Sequence, residues 1–177
     1  GWPDALYRNL GDGTFMDMAA SWGIDIGIYS MSSSFGDFDK DLDWDIMVSN
    51  GAVDGNRFLV CQGAPFQVAS DPLYYTDMAE EAGVLLENLA WGAMWLDVNN
   101  DSWEDLYIAT GTSMYTDYPN VTNFYPNSTN GLFLNPEGSL PLEDISASIN
   151  WENELTFSVA YGDHNEDGAL DFISHRM

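Results

Sequence analysis

Positive charge is what this chain has least of. Arg8, Lys40, Arg57 and Arg176 stand against 29 acidic residues, for a net charge of −25 at pH 7. That balance excludes an electrostatic grip on nucleic acid or on anionic membrane, both of which need basic patches. Cysteine is nearly absent too. Cys61 has no second thiol to pair with inside the chain, so no intrachain disulfide is available. Its place in Phe58-Leu59-Val60-Cys61 reads as a small buried hydrophobe rather than a reactive thiol. No apolar run approaches the roughly 20 residues of a membrane span, so membrane insertion is not expected. His164 and His175 are the two histidines, too few for a zinc cluster, and no Gly-x-Ser-x-Gly elbow occurs. Neither a basic n-region nor a secretory h-region opens the chain, and residue 1 is Gly. A mature secreted protein and an excised fragment both fit such a start. Helical periodicity is scarce: Asp77-Met78-Ala79-Glu80-Glu81-Ala82 predicts one turn before Gly83, and little else has a 3.6 period.

Aromatic and acidic residues are what is abundant. Seven Trp, nine Tyr and nine Phe in 177 residues argue for one folded domain with a sizeable core. The acids recur in a pattern. Gly36-Asp37-Phe38-Asp39-Lys40-Asp41-Leu42-Asp43-Trp44-Asp45 runs straight into Ile46-Met47-Val48, placing carboxylates at the first, third, fifth and ninth places of a loop that opens a strand. The arrangement returns over 97–105, with Asp97, Asn99, Asp101 and Asp105, and over 163–171, with Asp163, Asn165, Asp167 and Asp171. Oxygen ligands converging at that spacing suit a hard divalent cation, Ca²⁺ above all, with up to three bound. Carbonyls at the seventh places, those of Asp43, Trp103 and Ala169, are further ligands by analogy with other calcium loops. An EF-hand would require a bidentate Glu at the twelfth place and flanking helices. Val48, Ile108 and Ser174 stand there instead, so the EF-hand is rejected. Leu42 and Ser102 occupy a turn position where Gly168 is better suited, and forcing Leu42 to a positive φ costs on the order of 1 kcal/mol. Three Ca²⁺ would offset only six of the 25 net negative charges; a solvated surface in a salty medium accounts for the rest. The metal's role reads as structural, because the packed carboxylates of an empty loop repel one another.

Two strand modules alternate around these loops. One is an aromatic strand, a turn and a short second strand: Leu6-Tyr7-Arg8-Asn9, then Gly11-Asp12-Gly13, then Thr14-Phe15-Met16-Asp17-Met18-Ala19. It recurs as Arg57-Phe58-Leu59-Val60 with Tyr75-Thr76-Asp77-Met78-Ala79, and as Leu132-Phe133-Leu134-Asn135 with Leu142-Glu143-Asp144-Ile145-Ser146. The other is a small-residue strand, a metal loop and an aliphatic or aromatic strand. Asp37, Asp97 and Asp163 are 60 and 66 residues apart, and Asp17, Asp77 and Asp144 are 60 and 67 apart. The modules therefore travel together as a unit of about four short antiparallel strands, which matches a β-propeller blade whose innermost strand is crowded. The predicted fold class is all-β, with about three blade equivalents over residues 1–177. The stretch from Gly111 to Asn130 reads as a long surface loop, and Asn120-Val121-Thr122 and Asn127-Ser128-Thr129 within it fit the glycosylation sequon.

These loops and flanks resemble the FG-GAP/VCBS repeat of integrin-α-like propellers. Leu6-Tyr7-Arg8-Asn9 with Gly11-Asp12-Gly13-Thr14-Phe15 is similar to the version in many secreted bacterial proteins and in cartilage-acidic-protein-like chains. Leu42 and Ser102 depart from the usual Gly, and Gly63-Ala64-Pro65 only spells the motif's name by coincidence. The resemblance implies six or seven blades, so three make a partial propeller, to be completed by a longer chain or a second copy. It also implies an extracellular, cell-surface or periplasmic setting and a calcium-stabilised binding or adhesion module without catalysis, taking a protein or glycan ligand. Loop aromatics Tyr115, Tyr118, Phe124 and Tyr125 are candidates for stacking on sugar. The alternative is part of a calcium-dependent propeller lyase or hydrolase acting on polysaccharide.

Overall fold

A computed structural model describes residues 2–51, 55–63, 74–86, 89–111, 130–149 and 156–176. The interior of the 111–130 loop, with its four aromatics and both sequons, lies outside the described residues, as do Ala64 and Pro65. The chain is all-β and every strand pairing among the described residues is antiparallel. First comes a hairpin of β1 (Tyr7–Asn9) and β2 (Phe15–Asp17). Next is a four-stranded sheet, in chain order, of β3 (Ser30–Gly36), β4 (Asp45–Asn50), β5 (Arg57–Cys61) and β6 (Tyr75–Asp77). A second follows, of β7 (Leu89–Leu96), β8 (Asp105–Gly111), β9 (Gly131–Leu134) and β10 (Glu143–Asp144). A final pair, β11 (Thr156–Gly162) and β12 (Asp171–Arg176), ends the described chain.

The first hairpin turns through Gly11 and Gly13, at φ 82° and 90°, so the two glycines flanking Asp12 take the left-handed positions. The predicted helical turn at 77–82 is only a hydrogen-bonded turn, with the Ala82 amide donating to the Met78 carbonyl at 2.8 Å. Its counterpart in the first repeat, which the periodicity does not single out, is the helix α1 (Ala19–Trp22). Both end on a left-handed glycine, Gly23 or Gly83, and one turn is too short to leave a period in the sequence.

Register repeats across the molecule. Gly36↔Asp45, Leu96↔Asp105 and Gly162↔Asp171 pair across the three acidic loops, and each pair of strands carries an irregularity at the same place, Ser30/Ser32, Ala90/Gly92 or Thr156/Ser158. Between the two four-stranded sheets lies one core, including Met47, Phe58, Trp95, Leu106, Ile108 and Phe133; each such buried side chain contributes about 1.5–3 kcal/mol. A second core joins Leu96, Tyr107 and Leu132 to Val159 and Phe172 of the final pair. Gly36 is required where it stands, since a Cβ there would lie 2.5 Å from the Trp95 ring. The small residues of β3 thus let the next sheet approach.

Candidate metal centres

The three acidic loops share one backbone form. Positions four and six are left-handed in each: Lys40 and Leu42 at φ 58° and 75°, Asn100 and Ser102 at 60° and 75°, Glu166 and Gly168 at 62° and 87°. Successive inward carboxylates then receive amide hydrogens from the loop itself. In the second loop Ser102 and Asp101 donate to the two oxygens of Asp97 at 2.8 and 3.0 Å, and Trp103 donates to Asp101 at 2.8 Å. The third repeats this with Gly168 and Asp167 on Asp163, at 2.8 and 3.0 Å, and Ala169 on Asp167 at 2.9 Å. The first is a looser version: Leu42 on Asp37 at 3.4 Å, Asp41 on Asp39 at 3.3 Å and Asp43 on Asp41 at 2.9 Å. Position six was legible as a left-handed site. Position four, where Lys40, Asn100 and Glu166 stand, was not.

The ninth-place acids do more than close the loops. Asp45 is buried, and its Oδ2 accepts from the Phe38 amide at 3.2 Å while its Oδ1 accepts from the Cys61 amide of β5 at 2.8 Å. Asp105 does the same, taking the Val98 amide at 2.9 Å and the Asn135 amide, just past β9, at 2.8 Å. Each carboxylate therefore ties the start of an acidic loop to the strand beyond the next one. Among the described residues Asp171 keeps only the loop half, from the His164 amide at 3.1 Å, and the His164 ring lies 3.1 Å from the same oxygen.

Electrostatics rank the loops. Burial, opposed by its two amide hydrogen bonds and reinforced by Asp39 and Asp41, pushes Asp45 up to about 7. Burial and the neighbouring acids also raise Asp39 and Asp43, and burial raises Asp105 against its hydrogen bonds from Asn135 and Val98. Asp171, by contrast, is held below the ordinary carboxylate value by its hydrogen bonds from His164. Raised carboxylates crowded together are what a cation, or a proton, would relieve.

Asp37, Asp39 and Asp45 each offer an oxygen within 4.8 Å of the others, and among the described residues theirs is the one such acidic group. A Ca²⁺ with bonds of about 2.3–2.6 Å holds ligand oxygens up to about 5 Å apart, so this donor set fits it. Asp43 Oδ2 is also buried with no hydrogen-bond partner. In the other loops Asn99 and Asn165 stand at the third place and donate to Asp101 and Asp167, at 2.8 and 3.0 Å, so amides temper the charge there. Both of those loops are more open, and the third is exposed apart from Leu170 and Asp171.

Neighbouring loops also touch. The Asp37 amide donates to Glu104 at 2.8 Å, Lys40 Nζ lies 3.9 Å from the centre of the Trp103 ring, and Asn100 donates to the Gly168 carbonyl at 2.9 Å. Asn135 donates to the Phe38 carbonyl at 2.7 Å and to the Glu104 carbonyl at 3.1 Å. Trp103 and Asn135 thus serve as struts between loops, a role without a signal in the sequence. No known protein-family model matches the chain, and no curated protein matches it either.

Proposed function

We propose that this chain is a calcium-stabilised binding or adhesion module of β-propeller blades, acting outside the cell and without catalysis of its own. One observation carries the metal reading: the same nine-residue loop, with the same left-handed positions, stands at the same register of three strand pairs. In the first loop Asp37, Asp39, Asp41 and Asp45 would hold the cation, and Asp97, Asn99, Asp101 and Asp105, then Asp163, Asn165, Asp167 and Asp171, would hold the others. Bound Ca²⁺ would supply charge neutralisation. The chain itself orients the ligands, through the loop amides, and fixes the first two loops to their sheets through Asp45 and Asp105.

The blade reading is supported by sheets whose strands follow chain order, with the small-residue strand β3 packed against β7 of the next sheet. The binding role and the protein or glycan ligand rest on the family resemblance. Calorimetric titration of Ca²⁺ into chelator-treated chain, followed by a thermal melt, tests the metal reading. Heat from at least one site and a higher Tm are expected; no heat with an unchanged Tm would overturn it. Immobilised chain probed with glycans and extracellular-matrix proteins, in calcium and then in chelator, tests the binding role.

A further inference from the structure

One short turn touches the first two acidic loops together. Just past β9 the chain turns through Asn135, Pro136, Glu137 and Gly138, with Glu137 and Gly138 at φ 55° and 74°. Asn135 is 3% exposed. Its Nδ2 donates to the Phe38 carbonyl at 2.7 Å and to the Glu104 carbonyl at 3.1 Å, while its Oδ1 accepts from the Gly138 amide at 2.7 Å. Both donors and the acceptor of that side chain are thus engaged. The backbone amide of the same residue donates to Asp105 at 2.8 Å. Phe38 stands between Asp37 and Asp39 of the first loop, and Glu104 stands beside Asp105 of the second. A single buried residue therefore fixes backbone next to candidate ligands in two loops at once.

The rest of the turn is fitted as closely. A Cβ on Gly138 would lie 2.9 Å from the Trp103 ring of the second loop and 3.0 Å from Asp39 Cα of the first. Glu104 also accepts from the Asp37 amide at 2.8 Å, and Lys40 Nζ lies 3.9 Å from the centre of the Trp103 ring. None of Asn135, Gly138, Glu104 and Lys40 holds a ligand place. The second and third loops meet differently, at the surface, where Asn100 donates to the Gly168 carbonyl at 2.9 Å. Comparison between repeats marks Asn135 as special. Cys61 makes the same backbone bond to its ninth-place acid, Asp45, at 2.8 Å, but a thiol is a weak donor where Asn135 has two strong ones.

We propose, building on the calcium reading, that Asn135 and its turn couple the first two loops, so that Ca²⁺ in either one raises the affinity of the other. A loop of crowded carboxylates must be held against its own repulsion before an ion enters, and ordering its backbone costs conformational entropy. Through Asn135, ordering residues 97–105 also holds Phe38, and ordering residues 37–45 also holds Glu104 and Asp105. The second ion then enters a loop that the first has already helped to order, which is positive and reciprocal coupling. Repulsion between two bound cations acts the other way, so the sign of the coupling decides which effect wins. The third loop, joined only through exposed groups of the described residues, binds independently.

The test is calorimetric titration of Ca²⁺ at about 0.15 M salt, where charge interactions beyond about 8 Å are screened. Every chain carries Asp167→Ala to disable the third loop. Adding Asp101→Ala leaves the first loop alone, and adding Asp41→Ala leaves the second alone. With both loops intact, the product of the two binding constants should exceed the product of the single-loop constants by at least about fivefold. Asn135→Ala should bring that factor to about one, whereas Asn100→Gly should leave it unchanged. Glu104→Ala, which removes the contact with the Asp37 amide, should lower the factor part of the way and serves as the second variant should Asn135→Ala fail to fold. Hydrogen exchange in chelator adds a readout free of metal: Asn135→Ala should speed exchange in residues 37–44 and 97–104 together and leave 163–170 unmoved. A factor of one or below with Asn135 in place overturns the coupling while keeping the calcium reading. A factor that survives both Asn135→Ala and Glu104→Ala, with only Tm lowered, makes Asn135 a packing residue and also overturns it. No heat in any chain removes the calcium reading itself, and the coupling with it.

Discussion

Asp45 carries two tasks in one carboxylate, and that explains why burying an acid here is tolerated. Its oxygens satisfy the amides of Phe38 and Cys61, both buried, which would otherwise be left without partners. Asp45→Ala should therefore destabilise the chain by about 3 kcal/mol even in chelator, read from a denaturant melt. Asp171→Ala should leave the same melt almost unmoved, since that acid has only the exposed loop to hold; equal losses would refute the distinction. Gly168 stands at φ 87° in open space, with nothing within 4 Å of where a methyl group would sit, so Gly168→Ala should cost about 1 kcal/mol from backbone strain alone. The acids were legible as a recurring loop pattern because their spacing is local. Their second hydrogen bonds were not, because Asp45 and Cys61 meet only once β4 and β5 are paired.

At the scale of elements, short alternating runs predicted the strands well, since strand period and turn residues are written over a few neighbouring positions. What escaped were the ties between elements. Asn56 accepts from the Asn50 amide at 3.1 Å, and Asn130, at the corresponding place before β9, accepts from the Thr110 amide at 2.9 Å. Asp77 accepts from Phe58 at 3.2 Å and Ala79 at 3.1 Å, so the recurring Asp17 and Asp77 close turns. Cys61 belongs to this level. It is buried in β5, and burial pushes its thiol up. Native chain should resist a thiol-alkylating reagent and react fully in denaturant, as mass spectrometry would show; rapid native labelling would mean that β5 opens readily.

For the whole molecule, protons and the proposed cation would act through the same groups. The folded-state value of Asp45, about 7, lies above the ordinary 3.8, so the folded chain holds that proton more tightly than the unfolded one. This contribution is fully present below 3.8 and is lost as pH rises through 7. Raised Asp39, Asp43 and Asp105 act in the same direction, whereas Asp12 and Asp171 are lowered and matter only in acid. In chelator, Tm should thus be higher at pH 5.5 than at pH 8, and a Tm that rises with pH would contradict this. With calcium present the order should reverse, because the cation replaces the proton and its affinity grows as the carboxylates ionise.

The all-β class, the strand positions and the threefold acidic loop were determined by the order of residues alone, because each depends on contacts within about ten positions. Which loop crowds its carboxylates most, which acid also braces a neighbouring strand, and which strand edges face solvent were decided only by tertiary structure. Burial and long-range hydrogen bonds are properties of sheets brought together, and residues such as Asn135 and Phe38 are 97 positions apart before the chain folds.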